Sequence, residues 1–172
     1  MAEIMHAVVR TDKLYGTDVG VNLVSAKYMG TGTTETAIDN GNVLKVGDLM
    51  EGEREVRIAT TPAANTALKD IILVATPEVM YDERKKNLHE FYNEAGRIIR
   101  GYFLHEHDYF GVTADGLEIA SGATPAVGWA VELMAGTKLK VVATATSGST
   151  QVGKIAAIEA AGRYTYYVVE VA

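Results

Sequence analysis

Apolar residues in this chain come in short runs rich in β-branched and aromatic side chains, separated by clusters of Gly, Asn, Asp and Thr. That rhythm predicts strands joined by turns. Ile4 to Val9 and Asn22 to Tyr28 are strand candidates on either side of the polar stretch Thr11 to Gly20, and Gly30-Thr-Gly-Thr-Thr-Glu-Thr36 reads as a loop. Asp39-Asn-Gly41 is a tight hairpin-turn signal, because Asn and Gly tolerate positive φ, and Val43 to Met50 is the strand it feeds. From Glu53 to Ala59 charge alternates with Val56 and Ile58, the period of two of a strand with one wet face. Ile71-Ile-Leu-Val-Ala75 is apolar on both faces and reads as a central strand, ended by Pro77. Arg97 to Leu104, Tyr109 to Thr113, Trp129 to Met134, Thr137 to Thr146, Lys154 to Glu159 and Tyr164 to Val171 also have strand character.

One segment reads as helix. Between Asp82 and Ala95 the residues Leu88, Phe91, Tyr92 and Ala95 recur at helical spacing opposite Glu83, Arg84, Lys85 and Lys86, with Gly96 placed as a cap. There is also a faint internal echo: Leu49-Met50-Glu-Gly52 followed by Ile58-Ala59-Thr60 matches Leu133-Met134-Ala-Gly136 followed by Val142-Ala143-Thr144 at a constant offset of 84 positions. Chance likeness between two hairpins is one reading, and an ancient duplication is the other. The expected fold is mainly β, with small β-barrel or β-sandwich-like modules and one short helix. Residues 1–172 form a single compact β-rich unit, or two small modules (about 1–80 and 97–172) joined by the helix at about 82–95.

The chain has 172 residues and a net charge of −6, which disfavours general binding to nucleic acid or anionic membranes. Cysteine is absent, which removes disulfides, thiolate metal sites and cysteine nucleophiles. No apolar run approaches the ~20 residues of a membrane helix, and the N-terminus lacks the pattern of a secretion signal, so the expected product is soluble and made in the cytoplasm.

Candidate chemistry is sparse. Gly148-Ser-Thr-Gln-Val-Gly153-Lys154 has the outline of a phosphate loop, but Ile155 stands where Ser or Thr holds magnesium. Too little chain follows for a nucleotide-hydrolysing fold, so a polar hairpin loop from Ser147 to Gln151 is the better reading. In His105-Glu106-His107-Asp108, a continuing strand would put His105 and His107 on one face as metal ligands, with His6, His89 or a carboxylate as a third. The flanking strands suit a four-residue hairpin loop better. No serine lies in a nucleophile elbow, and the pairs Glu51 with Glu53 and Glu78 with Asp82 have the look of surface charge. Arg84-Lys85-Lys86, with Arg97 and Arg100, reads as a solvated face more readily than as a site for an acidic partner. The aromatic strand is more suggestive: Tyr164, Tyr166 and Val168 share one face and Tyr167, Val169 and Val171 the other. Such a strand is either central in a sheet or covers a subunit interface.

Thr76-Pro-Glu-Val-Met-Tyr-Asp-Glu83, Leu88-His-Glu-Phe-Tyr-Asn-Glu-Ala-Gly96, Arg100-Gly-Tyr-Phe-Leu104, Ala135-Gly-Thr-Lys-Leu-Lys-Val141, Thr144-Ala-Thr-Ser-Gly-Ser-Thr150 and Gly162-Arg-Tyr-Thr-Tyr-Tyr-Val168 together resemble the head decoration, or auxiliary capsid, proteins of tailed phages. The likeness runs from Asp39 onward and weakens before it. It implies a β-rich, non-enzymatic virion protein, without catalytic residues, metal or cofactor, that binds the major capsid protein on the capsid exterior and stabilises the shell. It also implies a homo-oligomer, with a trimer favoured, and no nucleic-acid or membrane partner. Two other classes remain at this point. One is a host-surface or glycan-binding head fibre protein using exposed Tyr and Trp129; the other is a metal-binding protein or metalloenzyme using His105 and His107.

Overall fold

A computed structural model describes residues 5–172, so Ile4, where the first predicted strand begins, lies outside the described residues. The strands are β1 (Val9–Lys13), β2 (Leu23–Tyr28), β3 (Val43–Leu49), β4 (Val56–Thr60), β5 (Ile71–Val74), β6 (Ile98–Phe103), β7 (Tyr109–Thr113), β8 (Leu117–Ile119), β9 (Ala130–Glu132), β10 (Leu139–Val142), β11 (Gln151–Ala161) and β12 (Tyr164–Val171). One short α-helix, α1 (Tyr15–Asp18), lies between β1 and β2. The fold is mainly β, with β2–β6 closed into a five-stranded barrel and the remaining strands in a seven-stranded sheet.

The strand order repeats. Around the barrel it is β2-β4-β3-β5-β6, and along the sheet the segment β8-β10-β9-β11-β12 has the same succession. The orientations repeat too. β2 with β4 and β8 with β10 are parallel, and every other equivalent pair is antiparallel. β1 precedes the first set and β7 the second, and these two strands pair with each other. Both halves of the echo at offset 84 therefore lie in equivalent hairpins, β3–β4 and β9–β10. Their registers differ by one residue, since Val46 opposes Ala59 whereas the equivalent Ala130 opposes Val142. A one-residue slip exchanges the faces of every side chain, which is why the two sequences fall out of phase. The units also differ in closure: β6 pairs with β2 in the first, whereas in the second β12 pairs with β7 and β8 is an outer strand of the sheet.

The barrel packs on the sheet through β3, β5 and β6. Ile71 and Leu73 join Val43, Tyr102, Val131 and Val169 in a core shared by the two units. Ile72 and Val74 point the other way, into the barrel with Leu44, Ala59 and Ile99. The run Ile71–Val74 is thus apolar on both faces because it divides two cores, and each fully buried side chain contributes roughly 1.5–3 kcal/mol. β12 is likewise central, between β7 and β11. Tyr167, Val169 and Val171 face the shared core, and Tyr166 is buried on the opposite face beneath the Arg10 guanidinium.

Several expectations need correction. Residues 82–95 form no α-helix; they hold one 3-10 turn, Leu88–Glu90. Local polar groups outcompete the helix there. Asp82 accepts the Arg84 N–H at 3.0 Å, Glu90 accepts those of Lys86 and Asn87 at 2.8 and 2.6 Å, and Asn93 pairs with Ile38 as an isolated β-bridge. Asp39-Asn-Gly41 does turn the chain, with Gly41 at φ +83, yet it closes no hairpin, because β2 and β3 are not neighbours. Asn40 instead clamps Thr76, donating to its carbonyl at 2.8 Å and accepting its N–H at 3.0 Å. Neither residues 105–108 nor Ser147 to Gln151 make hairpin loops: the first passes from barrel to sheet, and the second joins strands that do not pair. The first described strand starts only at Val9 and runs into the stretch expected to be polar loop, and the short β8 was not anticipated.

Candidate functional site

His105, Glu106, His107 and Asp108 sit at the crossing between the two units, and they diverge. Asp108, buried, accepts the N–H of Tyr15 at 2.8 Å and that of His105 at 2.9 Å, which fixes the turn from within. The His105 ring meets Asn22 Oδ1 through Nε2 at 2.8 Å and lies against Tyr15. His107, at φ 70, is exposed and lies 3.8 Å from the Glu106 carboxylate. Among the described residues no group of three or more His, Asp or Glu side chains is arranged to hold a metal ion. His105 instead holds the 3-10 turn Gly20–Asn22 in place.

The phosphate-loop outline comes apart in the same way. Gln151 to Lys154 belong to β11, where Gly153 is buried against β12. A Cβ at Gly153 would lie 1.9 Å from the Glu170 carbonyl oxygen, so glycine is required there by strand packing. Lys154 pairs with Glu170 at 3.3 Å. Glu170 also accepts a hydrogen bond from the Tyr109 hydroxyl, which with Lys154 holds its carboxyl below the ordinary range and raises the Tyr109 phenol.

Of the charged groups, Arg84 is engaged by Asp82, whose carboxyl this contact holds at about 2. Lys85 lies over Tyr92, and Arg97 over Phe91. Trp129 packs half-buried on the shared core and Tyr164 bonds His89 Nδ1 at 3.0 Å, leaving Tyr81 and Tyr15 as the exposed aromatic surface.

The largest concavity lies where sequence reading placed nothing. It is a cleft of about 790 Å³ at one end of the barrel, formed by the start of β2, the end of β3, the start of β4 and the residues before β5. Leu23, Val24, Val46 and Phe103 supply apolar lining, and Arg54, Glu55, Arg57, Lys69 and Asp70 supply charge. Arg57 donates to Gly47 O at 3.1 Å. The side chains of Arg54 and Lys69 have no hydrogen-bond or ion-pair partner among the described residues. Val21, on the turn that His105 braces, and Leu49, at the end of β3, are 82% and 46% exposed on its rim. Leu49 was visible in the sequence as part of the repeated Leu-Met-x-Gly, but only the fold shows that it is left uncovered.

No family model, characterised protein or solved structure shows a significant match to this chain.

Proposed function

We propose that this chain is a structural virion protein that binds the outer surface of a tailed-phage capsid and stabilises the shell. The observation that carries the reading is the resemblance from Asp39 onward to head decoration proteins, and the β-rich fold is consistent with it. In this reading the protein is not an enzyme, its partner is the major capsid protein, and it acts as a homo-oligomer with a trimer favoured. Joining three weak contacts in one oligomer raises apparent affinity by ~10²-fold or more when the geometry lets all of them engage. The test is titration of the purified chain onto undecorated capsids assembled from the major shell protein encoded beside it. Saturable binding at a fixed ratio to that protein, only mildly weakened by salt, is expected. Absence of binding at both low and high salt would overturn the proposal.

A further inference from the structure

The two units finish the same end in different ways. In the second, the chain closes over itself. Leu133, at the end of β9, is 0% exposed, and its N–H donates to Thr150 O at 2.9 Å. The adjoining Glu132, also 0% exposed, accepts the Thr146 N–H at 2.7 Å and Lys140 Nζ at 3.1 Å, which draws residues 143–150 over the end of the sheet. In the first unit the equivalent carboxylate is Asp48, exposed and without a partner among the described residues, and the equivalent of Leu133 is Leu49. The segment before β5 does not fold across, and the cleft of about 790 Å³ takes its place.

We propose that this open barrel mouth docks an extended segment of a partner protein that brings an apolar side chain to Val21 and Leu49 and a carboxylate to Arg54 and Lys69. The segment would do for the first unit what residues 143–150 and Glu132 do for the second. Three observations commit the site to such an occupant. Exposed apolar residues beside a concavity mark a surface that another chain covers. The cations Arg54, Arg57 and Lys69 outnumber the anions Glu55 and Asp70 in this lining, on a chain whose net charge is −6, so the mouth favours an acidic group more than the rest of the surface does. The cleft is open and has the volume of several amino-acid residues, which suits a peptide segment. The identity of the partner as the major shell protein rests on the capsid-binding reading.

The experiment titrates three full-length proteins onto the same undecorated capsids: wild type, Arg54→Glu/Lys69→Glu at the mouth, and Lys86→Glu/Lys138→Glu away from it, which changes net charge equally. Thermal unfolding of each accompanies the titration, and all four positions lie at least partly in solvent, so similar melting is expected. The mouth variant is expected to bind at least ~10-fold more weakly and the control within ~2-fold of wild type, as for charged contacts at an interface. If the wild type binds and the mouth variant stays within ~2-fold of it, the mouth is not the docking site and the capsid reading survives. Equal losses in both variants would also overturn the mouth, since charge alone would then govern binding. No binding by the wild type would overturn the capsid reading and this choice of partner together.

Discussion

Leu49-Met50-Glu-Gly52 and Leu133-Met134-Ala-Gly136 end equivalent strands in equivalent hairpins, yet Leu49 is 46% exposed and Leu133 is 0% exposed. A short motif specifies where a strand stops and turns; whether its leucine is buried depends on what lies across the end of the sheet. In the second unit that is the Thr- and Ser-rich segment 143–150, tethered by one buried carboxylate. In the first it is a cleft. The first unit departs from the second again between β5 and β6, where residues 75–97 make a long excursion, whereas β11 and β12 are joined by the Gly162-Arg163 turn. Repeated topology therefore coexists with one closed unit and one unit that presents added surface.

The comparison can be broken most forcefully at the tight packing of the second unit. Gly153→Ala should cost more than about 3 kcal/mol and can prevent folding, because its Cβ would meet a backbone oxygen at 1.9 Å that cannot rotate away. Wild-type stability in urea would show that β11 and β12 do not approach so closely. The matched leucines come next. Leu133→Ala is expected to cost about 2–4 kcal/mol and Leu49→Ala less than about 1 kcal/mol, read as the difference in unfolding midpoints; equal losses would remove the distinction between a closed end and an open one.

Carboxylates sharpen it further. Glu132→Ala leaves the Thr146 N–H without its acceptor and should cost about 1–3 kcal/mol, while Asp48→Ala should stay within about 0.5 kcal/mol. Burial pushes the Glu132 carboxyl up, but hydrogen bonds from Thr146 and Lys140 more than offset it and leave the group below its ordinary value of 4.5. The folded protein therefore holds this proton less tightly than the unfolded chain. Its stabilisation is present above the ordinary value and is lost as pH falls through the lowered one. The stability gap between wild type and Glu132→Gln should shrink as pH is lowered from about 6 to about 3, and a gap that widens would contradict the assignment. The smallest effect is expected at the junction: His107→Gly, which relieves a non-glycine residue at φ 70, should leave stability within about 1 kcal/mol of wild type and on the favourable side.

Much of the strand layout was legible because period and β-branching report burial directly. Ile71 to Val74 read as covered on both sides and is, and Tyr164 to Val171 read as central and is. Pairing was not legible. Asp39-Asn-Gly41 marks a turn, but nothing local says that β2 will lie beside β4 and β6 instead of β3. The apparent helix at 82–95 failed because Leu88, Phe91 and Tyr92 suit a helix by spacing alone, while Asp82, Asn87 and Glu90 turn their side chains back onto the main chain. The barrel mouth was invisible because its lining comes from four separated stretches whose charges look like ordinary surface until the strands close. The internal echo was the one sequence signal that led toward it.

Amide hydrogen exchange on the free protein tests the contrast between the two ends most directly. The Thr146 N–H and the amides of 131–133 are predicted to exchange slowly, held by the Glu132 carboxylate and the closed sheet, while those of residues 51–55 around the open mouth exchange at close to unprotected rates. Equal protection at the two ends would contradict the distinction between a unit that closes on its own chain and one left open for another.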